Sequence, residues 1–234
     1  MLRHSSLPTV LVEGISDARG YRHLEKQLDV GRVSILPCGG RINLLKVFER
    51  RREIPSLPLA FIADRDMWLF RMPAGYEEII WTTGYSLEND VLAAGAAEDL
   101  LEPGEMIRFR QSLDVLIPWF AFEVEEFLAG RTAHVDVHPD SVLPPDAMVI
   151  REAHYAGRGS GRGSDAMIKF IHDDYALRLR GKNLAYLLAR FLNSPRRHAQ
   201  YNPPTLLDAV VRLRPNLPHW QQILAAVKAR LKAH

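Results

Sequence analysis

Four short runs near the start of the chain are apolar along most of their length, and no other feature constrains the fold as much. They are residues 9–13 (TVLVE), 33–36 (VSIL), 57–63 (LPLAFIA) and 78–82 (EIIWT). A strand with one face in water alternates apolar and polar side chains, whereas a run without alternation needs cover on both faces. Between the runs the spacing turns helical. Ser16 can cap a helix over 17–28, with Ala18, Tyr21, Leu24 and Leu28 on one stripe. Residues 42–51 and 86–93 read as two more helices. Strand, helix, strand, helix, strand predicts an α/β fold with a parallel sheet and helical crossovers.

Beyond about residue 96 the pattern is mainly helical. Residues 107–130 read as one or two helices interrupted near Pro118, because proline lacks a backbone donor and crowds the preceding turn. Residues 134–138 alternate like a short strand. The low-complexity stretch GRGSGRGS, 157–164, is expected to be flexible. Helices follow over 165–177 and 182–193, and Pro203-Pro204 precedes a last helical pair. The expected organisation is an α/β domain over 1–100 and a mainly helical portion over 101–234 that packs on it, or one continuous domain.

Composition narrows the class. Of 234 residues 25% are charged and the formal net charge is only +2, so no global basic signature of nucleic-acid binding exists. Arginine far outnumbers lysine. Arginine is the better fork for phosphate oxygens, but a codon preference is the plainer account. The single Cys38 excludes a disulfide framework or a thiolate cluster within the chain. The N-terminal apolar run is too short for a signal peptide, and no stretch reaches the roughly 18 apolar residues of a membrane span. A soluble cytoplasmic protein is expected.

Ligand sites in open parallel sheets form at the carboxyl ends of strands, and three acidic residues fall there. Glu13 ends the first run; Asp64 and Asp66 follow the third in FIADRDMW. On a continuing strand, side chains two residues apart point the same way, so both aspartates could share one hard cation. Mg²⁺ commonly uses one or two carboxylates with phosphate oxygens and water. Asp17, one helical turn after Glu13, and Glu88, in GYSLEND, could complete the cluster.

These residues carry a resemblance. VEGISD is similar to the first Toprim motif, a glutamate followed by glycine, and IADRD to the second, the DxD. More narrowly, VEGISDARGY, LPCGGRINLL, FIADRDM, TTGYSLENDVL and RGKNLAYLLARFL, in that order over about 9–193, resemble the DUF4435 family of Toprim-like proteins, related to overcoming-lysogenization-defect nucleases. The resemblance implies a Mg²⁺- or Mn²⁺-dependent nuclease acting on DNA or RNA, or a nuclease-like effector of anti-phage defence. It assigns Glu13, Asp17, Asp64, Asp66 and Glu88 to metal binding, and Lys182 in the late GK to the scissile phosphate. It also implies an ABC-type ATPase partner. No GxxxxGK[ST] occurs in this chain, so that ATPase would be a separate protein. A homodimer is compatible with the same resemblance. The competing hypothesis is a non-catalytic module that binds a partner ATPase or a nucleotide.

Other candidates carry less. His134, Asp136 and His138 would share one strand face, read as exposed and polar. Gly39-Gly40-Arg41 opens a helix whose amides could bind phosphate, or is a tight turn. Arg158 and Arg162 could grip a nucleic-acid backbone or sit in a surface loop. Glu123, Glu125 and Glu126 read as a solvated helix face. Arg178, Arg180, Lys182 and Arg190 form the best local basic group. Tyr85 is a packing residue and Cys38 a small buried thiol.

Overall fold

The computed structural model describes residues 7–25, 27–28, 33–54, 57–93, 98–145, 149–154, 158, 161–193, 200–214 and 216–232. The chain divides into two compact units. One comprises Met1–Arg65, Pro73–Thr83 and Pro215–His234, the other Asp66–Met72 and Gly84–Arg214. The sequence pattern turns mainly helical beyond about residue 96, whereas the units interleave along the chain, and each is described by itself.

The first unit is built on a parallel sheet. Its elements are β1 (Thr9–Val12), α1 (Ile15–Glu25), β2 (Ser34–Pro37), α2 (Arg41–Glu49), β3 (Leu59–Ala63) and β4 (Ile80–Trp81). The strand order is β2-β1-β3-β4 and every pairing is parallel, with Thr9 opposite both Ser34 and Leu59. All four residues of β1 and four of the five in β3 are buried. That is why those runs do not alternate: the central strands have no wet face. The α/β reading with a parallel sheet therefore holds. Leu11, Leu44, Phe48, Phe61, Ala63 and Ile79 form one core cluster, and the Phe48 and Phe61 rings meet edge to face at 5.3 Å between centroids.

The second unit is helical. It contains α3 (Leu87–Leu92), α4 (Pro103–Leu128), α5 (Pro139–Val142), α6 (Asp165–His172), α7 (Tyr175–Arg178), α8 (Gly181–Leu192) and α9 (Pro203–Leu213). Its centre is α8, which buries Leu184, Leu187, Leu188 and Leu192 and packs against α3, α4 and α9. The chain ends in α10 (Pro218–Lys232), which belongs to the first unit and packs on β3 and β4. Trp220, Ile223, Leu224, Val227 and Leu231 give α10 a stripe at helical spacing. Trp220 stacks on Tyr21 at 6.0 Å and donates its indole N–H to Gln27.

Three local expectations change. The helix through Pro118 is not interrupted: α4 runs continuously from Pro103 to Leu128. Leu116, Ile117, Trp119 and Phe120 around the proline are each at most 1% exposed. That burial outweighs the roughly 3 kcal/mol local cost of a proline inside a helix. Residues 134–138 form no strand. Their backbone groups are taken by side chains instead: His134 N–H donates to the Glu123 carboxylate (2.7 Å), and Arg180 donates to the Val137 carbonyl (2.9 Å). Finally, 165–177 is not one helix; it divides into α6 and α7, with Asp174 between them at φ −150° and ψ 52°.

Glu123 also overturns the solvated acidic face. Its side chain is 0% exposed, and Arg158 grips both its oxygens at 2.6 and 3.0 Å. Arg158 is thus engaged inside the protein. Removing one partner of a buried pair leaves an uncompensated charge, worth about 3–5 kcal/mol when both groups are fully buried. The Arg158 side chain keeps 22% exposure. Arg158→Ala is therefore expected to destabilise the second unit by about 3 kcal/mol in urea denaturation, at the low end of that range. Arg131→Ala, which removes the exposed partner of Glu126, should shift the midpoint far less.

Candidate functional site

In the first unit the chain leaves β1 toward β2, then crosses back to β3 on the other side of β1. The carboxyl ends of β1 and β3 therefore lie side by side where the connections diverge, the usual position for a ligand in an open α/β sheet. Glu13 follows β1 there and Asp64 follows β3. The two are joined directly: Asp64 N–H donates to Glu13 Oε1 at 3.1 Å.

Arg41, the first residue of α2, completes this junction. Its Nε and Nη2 both donate to Glu13 Oε1 at 3.2 Å, and Nη2 also donates to the Asp64 carbonyl. Its guanidinium carbon lies 5.9 Å from the centroid of the Trp81 ring at the end of β4. The turn that delivers Arg41 depends on Gly39 and Gly40, at φ 78° and 114°, values other residues rarely adopt. Gly40 N–H donates to the Glu13 carbonyl at 2.7 Å. That amide is spent on the turn, so of the two readings of this segment the tight turn is the one the Gly40 contact fits. The Glu13 and Arg41 side chains are 15% and 20% exposed, so the pair is largely withdrawn from water.

Beside this junction, Cys38 is held protonated. Burial first, and the negative charge of Glu13 second, push its thiol from about 9 up to about 11. The thiolate is the reactive form, so Cys38 is a poor nucleophile at neutral pH.

The second unit gathers other residues. Asp66 opens a short 3₁₀ turn at φ 48°, a left-handed conformation tolerated by aspartate. Its N–H donates to the Tyr85 carbonyl at 2.6 Å. Next in sequence, Ser86 caps α3 and gives its hydroxyl to Glu88 at 2.5 Å. Asn89 is fully buried and donates to the Ala176 and Leu179 carbonyls. Gly181 lies so close that an added Cβ would come 2.6 Å from Asn89 Oδ1 and 3.0 Å from Glu88 Cβ. The strings GYSLEND and RGKN thus pack together through backbone and amide contacts that admit only glycine at 181. Lys182 is exposed in the first turn of α8.

Of the sequence-predicted residues, Glu13 and Asp64 are brought together in one unit, and Asp66, Glu88 and Lys182 share a neighbourhood in the other. The Asp17 side chain lies outside the described residues. The geometric argument for the DxD pair changes: β3 ends at Ala63, so strand alternation does not carry through to Asp66. Among the described residues no group of three or more His, Cys, Asp or Glu side chains could hold a metal ion. As a donor set, two carboxylates at adjacent strand ends fit one hard cation that takes its remaining ligands from phosphate and water. Arg41 limits that fit, because it already neutralises Glu13.

The local basic group is largely consumed. Arg180 pairs with Asp136 at 2.9 Å, Arg190 with Asp140 at 2.5 Å, and Arg178 caps the Phe170 carbonyl. Tyr85 is 3% exposed and packs edge-on to Phe120, as expected of a core residue. A cavity of about 350 Å³ opens near the start of β3, lined by Phe48, Arg51, Leu59, Glu78 and Arg230 among others. Arg51 there already donates to Glu78 at 2.7 Å. The residues sequence reasoning missed are Arg41, as the partner of Glu13, and Trp81. The signal for Arg41 was present: a cation directly after two glycines at a strand end.

No family model matches this chain, and no curated protein sequence matches it significantly. Among the described residues, no helix is long and apolar enough to cross a membrane.

The thiol shift gives a pH test. Iodoacetamide labelling of Cys38 should be slow at pH 7 and should keep rising until about pH 11, where an ordinary thiol levels off near 9. The folded protein holds this proton to higher pH than the unfolded chain, so the thiol contributes a loss of stability as pH climbs from about 9 to 11. Glu13→Gln should move the labelling profile to lower pH.

Proposed function

We propose that this chain is a Toprim-like nuclease of the DUF4435 kind, hydrolysing phosphodiester bonds in DNA or RNA with Mg²⁺ or Mn²⁺. The observation that carries the reading is the contact between Glu13 and Asp64 at the divergence of the β1 and β3 connections. Glu13 and Asp64 would hold the cation. When bound, it would supply charge neutralisation and a water acidic enough to attack phosphorus. Asp64 N–H and Arg41 orient the Glu13 carboxylate, and the glycine turn fixes where Arg41 begins its helix. Asp66, Glu88 and Lys182 are assigned to the same reaction by the resemblance, and Lys182 presents an exposed amine suited to a phosphate oxygen. A cytoplasmic role in anti-phage defence beside a separately encoded ABC-type ATPase, and a homodimeric state, belong to the same proposal.

A second reading draws on one specific observation. The Glu13–Arg41 pair leaves little negative charge to attract a cation, and this suits a non-catalytic module that binds a nucleotide or a partner ATPase. A plasmid-nicking and RNA-cleavage assay with Mg²⁺ or Mn²⁺ separates the two. Asp64→Ala and Glu13→Gln should each lose on the order of a hundredfold in rate, the scale of deleting one electrostatic stabiliser of a transition state. Wild-type protein that cleaves neither nucleic acid, alone or with the ATPase, would leave the non-catalytic reading standing.

A further inference from the structure

The arrangement of Arg41 bears on when a cation could bind, and this inference rests on the metal reading just given. Glu13, Asp64 and Arg41 together carry one net negative charge. A divalent ion on the Glu13 carboxylate would sit within a few ångströms of a guanidinium that donates twice to the same oxygen. Arg41 cannot simply withdraw. It is the first residue of α2, Gly40 anchors the preceding turn on the Glu13 carbonyl, and the guanidinium also reaches the Asp64 carbonyl and faces Trp81. The side chain is only 20% exposed, so solvent screens the repulsion poorly.

A phosphate changes both sides of this balance. Its oxygens accept the planar fork of an arginine better than a single carboxylate oxygen does. The same oxygens supply ligands that Mg²⁺ or Mn²⁺ ordinarily takes alongside one or two carboxylates. We infer that Arg41 makes cation binding conditional on a phosphate-bearing ligand. Without phosphate, the guanidinium holds Glu13 and keeps the ion out. With phosphate, the guanidinium turns its donors to the phosphate oxygens and yields Glu13 to the ion. Arg41 is then a positioning residue whose role shows in metal affinity, independent of any cleavage step. The phosphate could belong to a nucleic-acid backbone or to a small phosphate.

The test is Mn²⁺ binding by calorimetry or electron paramagnetic resonance. It compares Mn²⁺ alone, Mn²⁺ with inorganic phosphate, and Mn²⁺ with a cleavage-resistant phosphorothioate oligonucleotide, after subtracting Mn²⁺ bound by each probe itself. Wild type should bind Mn²⁺ weakly alone and at least about tenfold more tightly with a phosphate probe, within the usual range of coupling between two sites. An effect confined to the oligonucleotide identifies a nucleic-acid backbone as the source; an effect of both probes identifies the phosphate group itself. Arg41→Gln should bind Mn²⁺ about tenfold more tightly alone and lose the coupling. Arg41→Lys, which keeps the charge, should stay weak alone. If Arg41→Gln melts like wild type but binds Mn²⁺ equally or more weakly, the inference is wrong and Arg41 is a structural brace. If Glu13→Gln leaves Mn²⁺ binding unchanged, or no form binds Mn²⁺ with any probe, the metal reading fails and takes this inference with it.

Discussion

Parallel pairing of β1 with strands on both its sides is the constraint on which the first unit depends. Because β2 and β3 flank β1 and all run the same way, every connection must cross over, and the first two run in opposite directions across the sheet. The carboxyl ends of β1 and β3 are then neighbours at the point where the connections diverge. Two acidic residues at those ends come within one hydrogen bond of each other. A carboxylate as far withdrawn from water as that of Glu13 needs compensation, and the protein supplies it from the second strand connection, through Arg41.

That compensation explains the glycine pair. A guanidinium can reach Glu13 only if α2 starts immediately after β2, and so abrupt a turn demands positive φ at two successive residues. The energetics favour the arrangement because the pair is mostly withdrawn from water while every identified donor has an acceptor. The second unit follows the same logic at larger scale. Buried Glu123 and Arg158 satisfy each other, and Asn89 satisfies two carbonyls near the start of α8. Polar groups that look solvated in the sequence are the internal fastenings of this unit.

The legible part of the fold was the part written in hydrophobic period. Fully apolar runs located β1 and β3, and helical stripes located α2, α8 and α10, because burial on both faces or on one stripe leaves a direct trace in residue type. Failures came where partners distant in sequence decide the outcome. Pro118 does not break α4, since the packing around it outweighs the missing donor. Residues 134–138 alternate but have no neighbouring strand, and side chains from α4 and from the start of α8 claim their backbone.

For the candidate site the division is similar. The sequence by itself determined that acidic residues would end the first and third apolar runs, because a strand's carboxyl end is fixed by where its apolar residues stop. It also marked the glycine turn before Arg41 and the strings containing Glu88 and Lys182. Only the tertiary structure decided that Glu13 and Asp64 touch, that Arg41 neutralises Glu13, and that β3 stops before Asp66. The physical reason is range. Periodicity and strand ends are properties of neighbouring residues, whereas a hydrogen bond between positions 51 residues apart depends on strand order, which no local pattern encodes.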